Sequence, residues 1–212
     1  RSIFGEVKTF LKNKFFFSIF VYFFILIFLG LGIWQIIRLN WKLELISNIE
    51  KSIQSDPVIF NGQNPSNFKK VKFNPDIINS KLIYLYSLNE TGEPGFDIVN
   101  TIKIENENFL INRGWIPRNL KGIDFKIQNK AYLGILKKKS NQNYFKPDND
   151  LSKNYWFTLN DDDLFKFTGL KFSNFIIYEI DNQSKFPKVK KIDANISNNH
   201  LKYSLTWFSL AI

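Results

Sequence analysis

The sequence lacks cysteine and methionine altogether, and its 212 residues include a single histidine. Without cysteine there can be no disulfide framework, no thiolate site for zinc or an iron–sulfur cluster, and no cysteine nucleophile. The sequence has one histidine, no glycine-rich phosphate loop and no HExxH motif, so it contains no recognisable set of catalytic residues. We therefore expect that the protein is not an enzyme. Because the first residue is not Met and the last ten form an apolar run, we also expect a longer product.

The charge is unbalanced, with 29 Lys and Arg against 19 Asp and Glu, a net charge of +10. Such a balance raises nucleic acid or an anionic membrane as a partner. However, only 4 of the 29 basic residues are Arg, and the longest basic run is Lys137–Lys139. Since no basic stripe could follow a phosphate backbone, we predict no nucleic-acid partner.

A long hydrophobic run is the strongest physical signal, because residues Phe15–Ile37 form 23 consecutive positions without a charge. At ~1.5 Å per residue, a helix of this length crosses a hydrocarbon core of about 30 Å. A cleaved signal peptide would have a shorter apolar region followed by small residues. We therefore predict a transmembrane helix over 15–37. Lys8, Lys12 and Lys14 precede it, which favours a cytoplasmic flank over 1–14 and an extracytoplasmic location for the rest.

The helical pattern continues past the apolar run, and we expect a helix extension and linker over 38–56, with the helix ending near Asn48. Polar and aromatic residues recur there at helical spacing: Trp34, Gln35, Arg38 and Trp41. One interpretation is an aromatic belt at the membrane surface with Arg38 snorkelling to lipid phosphates. The other is a binding face for a membrane protein or a planar anionic ligand, since Arg pairs with carboxylates and Trp stacks.

Residues 57–196 change to short β-branched and aromatic runs separated by Asn, Gly, Pro and Asp, which predicts a β-rich domain. The predicted strands are Pro57–Phe60, Lys70–Phe73, Leu82–Leu88, Phe96–Ile104, Phe109–Trp115, Tyr132–Lys137, Tyr155–Leu159 and Phe175–Ile180. A single short helix is expected at Asp161–Phe167. Its three leading Asp residues suit the first turn of a helix better than a metal site.

The clearest supersecondary element is a hairpin, with Phe96–Ile104 and Phe109–Trp115 joined by a turn at 105–108. Apolar residues of the first strand alternate with Asp97, Thr101 and other polar residues, which is typical of a strand. A turn is also expected at Gly92–Gly95.

The last segment, 197–212, begins with possible capping residues at Ser197–Asn199 and continues as an uncharged helix. It could pack on the β-rich domain, but we favour the start of a second, incomplete transmembrane helix, since Tyr203 and Trp207 fall where an interfacial belt begins. His200 shares a helix face with both residues. A histidine at the membrane border can serve as an axial ligand of haem iron.

Three motifs carry a resemblance to a known family. Leu31–Ile46 resembles the outer end of the first membrane helix in the surfeit locus protein 1 family of cytochrome c oxidase assembly factors. Leu110–Pro117 is similar to that family's central NRGW-P motif, and Asn198–Phe208 to its NNH--Y--TW entry to the second membrane helix. A weaker match is Tyr155–Asp161. The region from Pro57 to Tyr86 is more diverged.

The resemblance implies a protein of the bacterial or mitochondrial inner membrane, with two transmembrane helices flanking a β-rich extracytoplasmic domain. Its implied role is to assist insertion of haem a into the oxidase catalytic subunit. The implied partners are that subunit, the haem a synthesis machinery and the lipid membrane. An alternative is a haem-independent scaffold that binds an oxidase subunit.

The resemblance also marks candidate site residues. His200 matches the membrane-border histidine and is the candidate haem-iron ligand. The other candidate haem contacts are Arg38, Trp34, Tyr203 and Trp207, with the macrocycle against Leu201, Ser204, Leu205 and Phe208. Motif residues without an assigned role are Gln35, Trp41, Asn112, Arg113, Gly114 and Trp115. For the NRGW residues, a strand end with Trp in the core and direct binding remain equally open.

Overall fold

The computed structural model describes residues 3–76, 81–125, 127–128, 130–139, 146–192 and 198–212, with the backbone alone for 3–13. The chain divides into a helical unit, Arg1–Asn48 with Ala194–Ile212, and a β unit, Ile49–Asp193. The predicted capping residue Ser197 and the side chains of Lys8 and Lys12 lie outside the described residues.

Among the described residues, the helical unit contains helix α3, His200–Ala211, and most of helix α1, Ile3–Gln54, whose last residues belong to the β unit. The helix α1 runs on to Gln54, past the predicted end near Asn48, because no Gly or Pro interrupts the sequence there. Within it, Lys14–Gln54 contains a window long and apolar enough to cross a membrane, and few of its side chains are buried. α3 has 12 residues, and at ~1.5 Å per residue it is shorter than a bilayer span.

The β unit is built on one mixed seven-stranded sheet, in the order β1-β2-β6-β7-β5-β4-β3. The strands are β1 Val58–Ile59, β2 Lys70–Phe73, β3 Leu82–Leu88, β4 Pro94–Ile104, β5 Glu107–Pro117, β6 Tyr132–Lys138 and β7 Phe175–Glu179. The pairs β1–β2 and β5–β7 are parallel, and the others are antiparallel. The short helix α2 occupies Asp161–Thr168 and a 3-10 turn Arg118–Leu120.

Apolar side chains cover both faces of this sheet. On β5, Phe109 and Ile111 point to one face, where they join a cluster with Val71, Tyr132 and Ile177. Leu110 points to the other face, where it joins Ile83, Val99, Trp156, Leu164 and Ile176. A third cluster contains Tyr84, Phe96, Ile98 and Ile116. The core therefore lies on both sides of β4 and β5.

The predicted hairpin is confirmed, with a tighter turn. Ile104 pairs with Glu107, so that only two residues, Glu105 and Asn106, connect β4 and β5. Polar residues of β4 are buried. Asp97 and Thr101 are each only 4% exposed, because the segment containing Trp156 and α2 covers that face.

Two other local predictions differ from the structure. Tyr155–Leu159 is not a strand, since Trp156 makes only an isolated bridge to Leu85 and Tyr155 one to Asp150. Its aromatic side chains pack on the sheet, which explains the strand-like composition. The turn predicted at Gly92–Gly95 lies earlier, since the Asn89 N–H donates to the Glu93 carbonyl and β4 already begins at Pro94.

Candidate functional site

A buried polar contact joins the two helices of the helical unit. His200, the first residue of α3, places its Nδ1 atom 2.6 Å from Oε1 of Gln35 on α1. Gln35 is 9% exposed and His200 is half-buried. Among the residues that the structure describes, the other ring nitrogen, Nε2, has no hydrogen-bond partner. This contact brings together two residues from the first and last resemblance motifs.

Close packing on the same helix faces holds this contact in register. The ring of Phe208 fills the space beside Gly32, and a Cβ added to Gly32 would lie 2.5 Å from the ring. Phe28 and Trp207 stack with ring centroids 5.9 Å apart. Ser204 is 2% exposed. Small residues at such an interface let two helices approach closely.

The serine and threonine hydroxyl groups of α3 are satisfied within the helix. Ser204, Thr206 and Ser209 donate to the carbonyls of Leu201, Lys202 and Leu205, at 2.8, 3.0 and 2.8 Å. Internal satisfaction of polar groups is what an apolar surrounding requires. α3 is therefore compatible with burial in lipid.

Of the other predicted haem contacts, Trp207 packs on Phe28 within the helix contact, whereas Trp34 and Tyr203 are about half-exposed, at 50% and 53%. Trp41, a motif residue without an assigned role, is 51% exposed. Arg38 is exposed, and its guanidinium lies 4.8 Å from the centroid of the Trp41 ring. Of the residues expected to face the macrocycle, Ser204 is buried and Phe208 packs on Gly32. Leu201 and Leu205 are exposed, at 56% and 60%.

The residues 112–115 of the NRGW motif form a different kind of arrangement, inside the β unit. They lie on β5 at a β-bulge, since Ile98 pairs with Gly114 and Val99 with Asn112. Arg113 is therefore the extra residue of β5. A bulge changes the direction in which side chains point. Here it turns Arg113 toward β7 and the loop near Phe125.

Arg113 is a buried partner of a carboxylate. Its Nε donates to Oε2 of Glu179 at 3.0 Å, and its Nη1 donates to the carbonyl of Phe125 at 3.2 Å. The two side chains are 10% and 0% exposed. Burial raises the pKa of Glu179, while the positive charge of Arg113 acts in the opposite direction. Nearby, burial also raises the pKa of Tyr132.

Asn112 anchors a second polar network on the other face of the sheet. Its Nδ2 donates to Oδ2 of Asp97 at 3.0 Å, and Lys190 Nζ lies 2.8 Å from the same oxygen. Lys190 also donates to the Ser87 hydroxyl. Burial, followed by the charge of Asp97, raises the pKa of Tyr178 to about 12. This network joins β3, β4, β5 and the segment after β7.

Gly114 and Trp115 attach that later segment to the sheet. Trp115 exchanges two backbone hydrogen bonds of 2.8 Å with Lys188. Gly114 has a φ of +116°, and a Cβ there would overlap the Lys188 carbonyl. The Gly114 N–H donates to Oδ1 of Asn112 at 2.9 Å, and Trp115 Nε1 to the Ser87 carbonyl at 3.3 Å. All four motif residues thus make contacts within the β unit. The geometry therefore favours a structural role for this motif over direct binding.

Sequence analysis did not identify the partners of these motif residues. The sequence pattern did not indicate that Asp97, Glu179 and Lys190 are buried partners, although a carboxylate within the apolar run of β7 is an available signal. Gly32 was also missed, and small residues within an apolar helix are a signal of close helix packing.

The acidic cluster at the start of α2 behaves as predicted. Asn160 is the N-cap and accepts from the Asp163 N–H at 2.8 Å, while Gly169 ends the helix at φ +75°. Burial favours a higher pKa for Asp163, but hydrogen bonds from Asn160 and Asn149 and the charge of Lys166 outweigh it and lower the pKa. No three His, Asp or Glu side chains form a metal-binding group in the part of the chain that the structure describes.

Comparison with known proteins gives one consistent result. The model of the SURF1 family matches residues 22–212. A SURF1-like protein of Rickettsia conorii is 32% identical over 208 residues, covering 92% of this chain and 86% of its own. Surfeit locus protein 1 of Mus musculus is 25% identical, covering 85% of this chain and 67% of its own. A SURF1-like protein of Dictyostelium discoideum is 24% identical, with 94% and 93% coverage.

Proposed function

The chain belongs to the SURF1 family, and we propose that it is an assembly factor for haem-copper cytochrome c oxidase. In this proposal it is not a catalyst. It carries haem a in the membrane and delivers it to the catalytic subunit of the oxidase, beside the haem a synthesis machinery. The observation that carries the proposal is the contact of His200 with Gln35 where α1 and α3 meet.

The residues at this contact fit haem as cargo. A neutral imidazole nitrogen is a common axial ligand of haem iron. Nε2 of His200 lacks a hydrogen-bond partner among the described residues, so it is available for such a bond. When bound, haem a would bring a planar apolar ring and two carboxylates.

The exposed side chains around His200 suit the other parts of that cargo. Leu201 and Leu205 follow it on α3 and leave apolar surface uncovered. Trp34 and Arg38 flank Gln35 on α1 and are exposed. Arg pairs with carboxylates through two parallel hydrogen bonds, so that Arg38 can hold a propionate, and Trp34 offers a stacking surface.

The charge pattern and the apolar helix support a proposal for the location. We place the protein in the bacterial or mitochondrial inner membrane as a multi-pass protein, with α3 beginning a second span and the β unit outside the cytoplasm. The support is the charge-free run before Arg38, the Lys residues ahead of it, and the internally bonded hydroxyls of α3. A reporter that is active only outside the cytoplasm, fused after Asn119, is expected to be active. Activity of a cytoplasmic reporter at that site instead would reverse the orientation.

Haem loading tests the function. The full-length protein, purified from cells that make haem A with a tag free of histidine, is expected to show a Soret band. His200→Ala is expected to abolish or shift this band, and Arg38→Ala to weaken haem retention less. Thr206→Ala is the matched control, because its side chain is exposed on α3 and bonds only its own helix.

A wild type that binds no haem when haem A is supplied would overturn the carrier function. The same holds if His200→Ala keeps an unchanged spectrum. In either case the family membership leaves the haem-independent scaffold as the function, with an oxidase subunit as its partner.

A further inference from the structure

The contact between His200 and Gln35 also determines where the imidazole proton resides. The atom of Gln35 that faces Nδ1 at 2.6 Å is the amide oxygen Oε1, and an amide oxygen can only accept a hydrogen bond. With this orientation of the amide, Nδ1 carries the hydrogen and donates it to Oε1. In a neutral imidazole, a hydrogen on one nitrogen leaves a lone pair on the other. Nε2 is then the nitrogen that can bind a metal.

The helix packing fixes the amide in this place. One turn before Gln35, Gly32 allows the Phe208 ring to contact the α1 backbone. A further turn away, Phe28 stacks on Trp207. These contacts set the register of the two helices, so that the Gln35 amide lies beside the imidazole.

We propose that Gln35 is a positioning residue that holds His200 in the Nδ1–H tautomer and so presents the Nε2 lone pair to haem iron. The presentation of Nε2 to haem iron, the second part of this proposal, rests on the proposed function. Histidine ligands of metals generally donate their other ring N–H to an oxygen acceptor, which fixes the tautomer and ring orientation and raises the basicity of the ligating nitrogen. Gln35 supplies this acceptor from the neighbouring helix.

The tautomer can be measured without haem. His200 is the only histidine of these 212 residues. In a full-length protein labelled with ¹⁵N-histidine, carrying a tag free of histidine, its imidazole signals in detergent micelles are identified as those that His200→Ala removes. At a pH where the ring is neutral, couplings to the ring carbon-bound protons identify the protonated nitrogen. The wild type is expected to show Nδ1–H.

Three variants separate positioning from packing. Gln35→Leu removes the acceptor and is expected to shift the population toward Nε2–H, whereas Gln35→Glu retains an oxygen acceptor at the same reach and is expected to keep Nδ1–H. Ser204→Ala is the matched control, since Ser204 is buried in the same interface but donates to its own helix. It is expected to leave the tautomer unchanged.

Haem loading, with haem A as the probe, then tests whether the tautomer of His200 governs haem binding, which is the second part of the proposal. Gln35→Leu is expected to retain haem about 10- to 100-fold more weakly, the range seen when partners of metal ligands are removed. Gln35→Glu is expected to recover loading in part, and Ser204→Ala to load like the wild type.

Each result has one meaning. An Nε2–H wild type, or a Gln35→Leu variant with the wild-type tautomer, overturns the positioning role whether or not haem binds. A shifted tautomer with unchanged loading shows that the tautomer does not govern haem binding and overturns the second part. A wild type with the expected tautomer that takes up no haem A overturns the proposed function and the second part together, while the tautomer assignment stands.

Discussion

Replacing Gly114 with Ala tests the structural role of the NRGW motif. Its φ of +116° is a backbone conformation that residues with a Cβ rarely adopt, and such strain costs about 1–3 kcal/mol. The new methyl group would also overlap the Lys188 carbonyl, which accepts one of the two Trp115 backbone hydrogen bonds. Losing both bonds costs about 0.5–1.5 kcal/mol each. The sum is a destabilisation of about 2–6 kcal/mol.

Gly122→Ala is the matched control for this change. Gly122 has a similar φ of +98°, but nothing lies within 4 Å of the position of an added Cβ. This variant therefore carries only the backbone strain, about 1–3 kcal/mol. The difference between the two variants isolates the contact between Gly114 and the segment at Lys188.

Pulse proteolysis of the full-length protein across a urea gradient in micelles measures both effects, since it reports the fraction of unfolded β unit. With a urea dependence of about 2 kcal/mol/M for a domain of this size, Gly114→Ala is expected to lower the midpoint by about 1–3 M. Gly122→Ala is expected to lower it by about 0.5–1.5 M. Equal shifts would refute the argument that the Lys188 segment needs a glycine at position 114.

Three further changes test the buried network and the short helix. Arg113→Met leaves the Glu179 carboxylate buried without its guanidinium, and the same urea assay is expected to show a loss of about 3–5 kcal/mol in the free energy of unfolding. Adding Glu179→Leu to this variant should restore much of that stability. No recovery would contradict the pairing of Arg113 with Glu179. Because burial raises the folded-state pKa of Glu179 above its ordinary value of 4.5, its contribution to stability is complete below that value and is lost as pH rises through the raised pKa. The melting temperature of Glu179→Gln should therefore fall less than that of the wild type between pH 4 and 8, and parallel curves would refute the raised pKa. Asn160→Ala removes the cap of α2 and should cost about 1 kcal/mol, with faster amide exchange at Asp163; unchanged exchange would show that the cap is not needed.

The hairpin pairing could be predicted because the local pattern of each strand and its local partner agree. Phe96–Ile104 and Phe109–Trp115 lie next to each other in the sequence and pair as a hairpin, so alternation and a polar turn were sufficient to predict them. The aromatic segment Tyr155–Leu159 has the same composition but packs its side chains on the sheet instead of joining it. Composition indicates that a segment packs well against a sheet, whereas its pairing as a strand depends on partners that are distant in the sequence.

The contacts that could not be predicted depend on how helices and strands align with elements that are distant in the sequence. Gln35 and His200 are 165 positions apart, and their contact requires a particular depth of α3 along α1. The bulge at Arg113 inserts one residue into β5 and reverses the alternation beyond it. The burial of Asp97 depends on the segment around Trp156, which covers the face that alternation alone assigns to solvent.

The two groups of motif residues differ in whether their polar atoms are already occupied. Arg113 and Asn112 bind carboxylates of the β unit and leave little for a ligand, so changes there should reduce the amount of folded protein. Nε2 of His200 has no partner among the described residues, while Nδ1 is held by Gln35. Under the proposed function, changes at this helix contact should leave the amount of folded protein near normal and lower its haem content. Comparing protein level with haem content for Arg113→Met and His200→Ala separates a folding role from a cargo role.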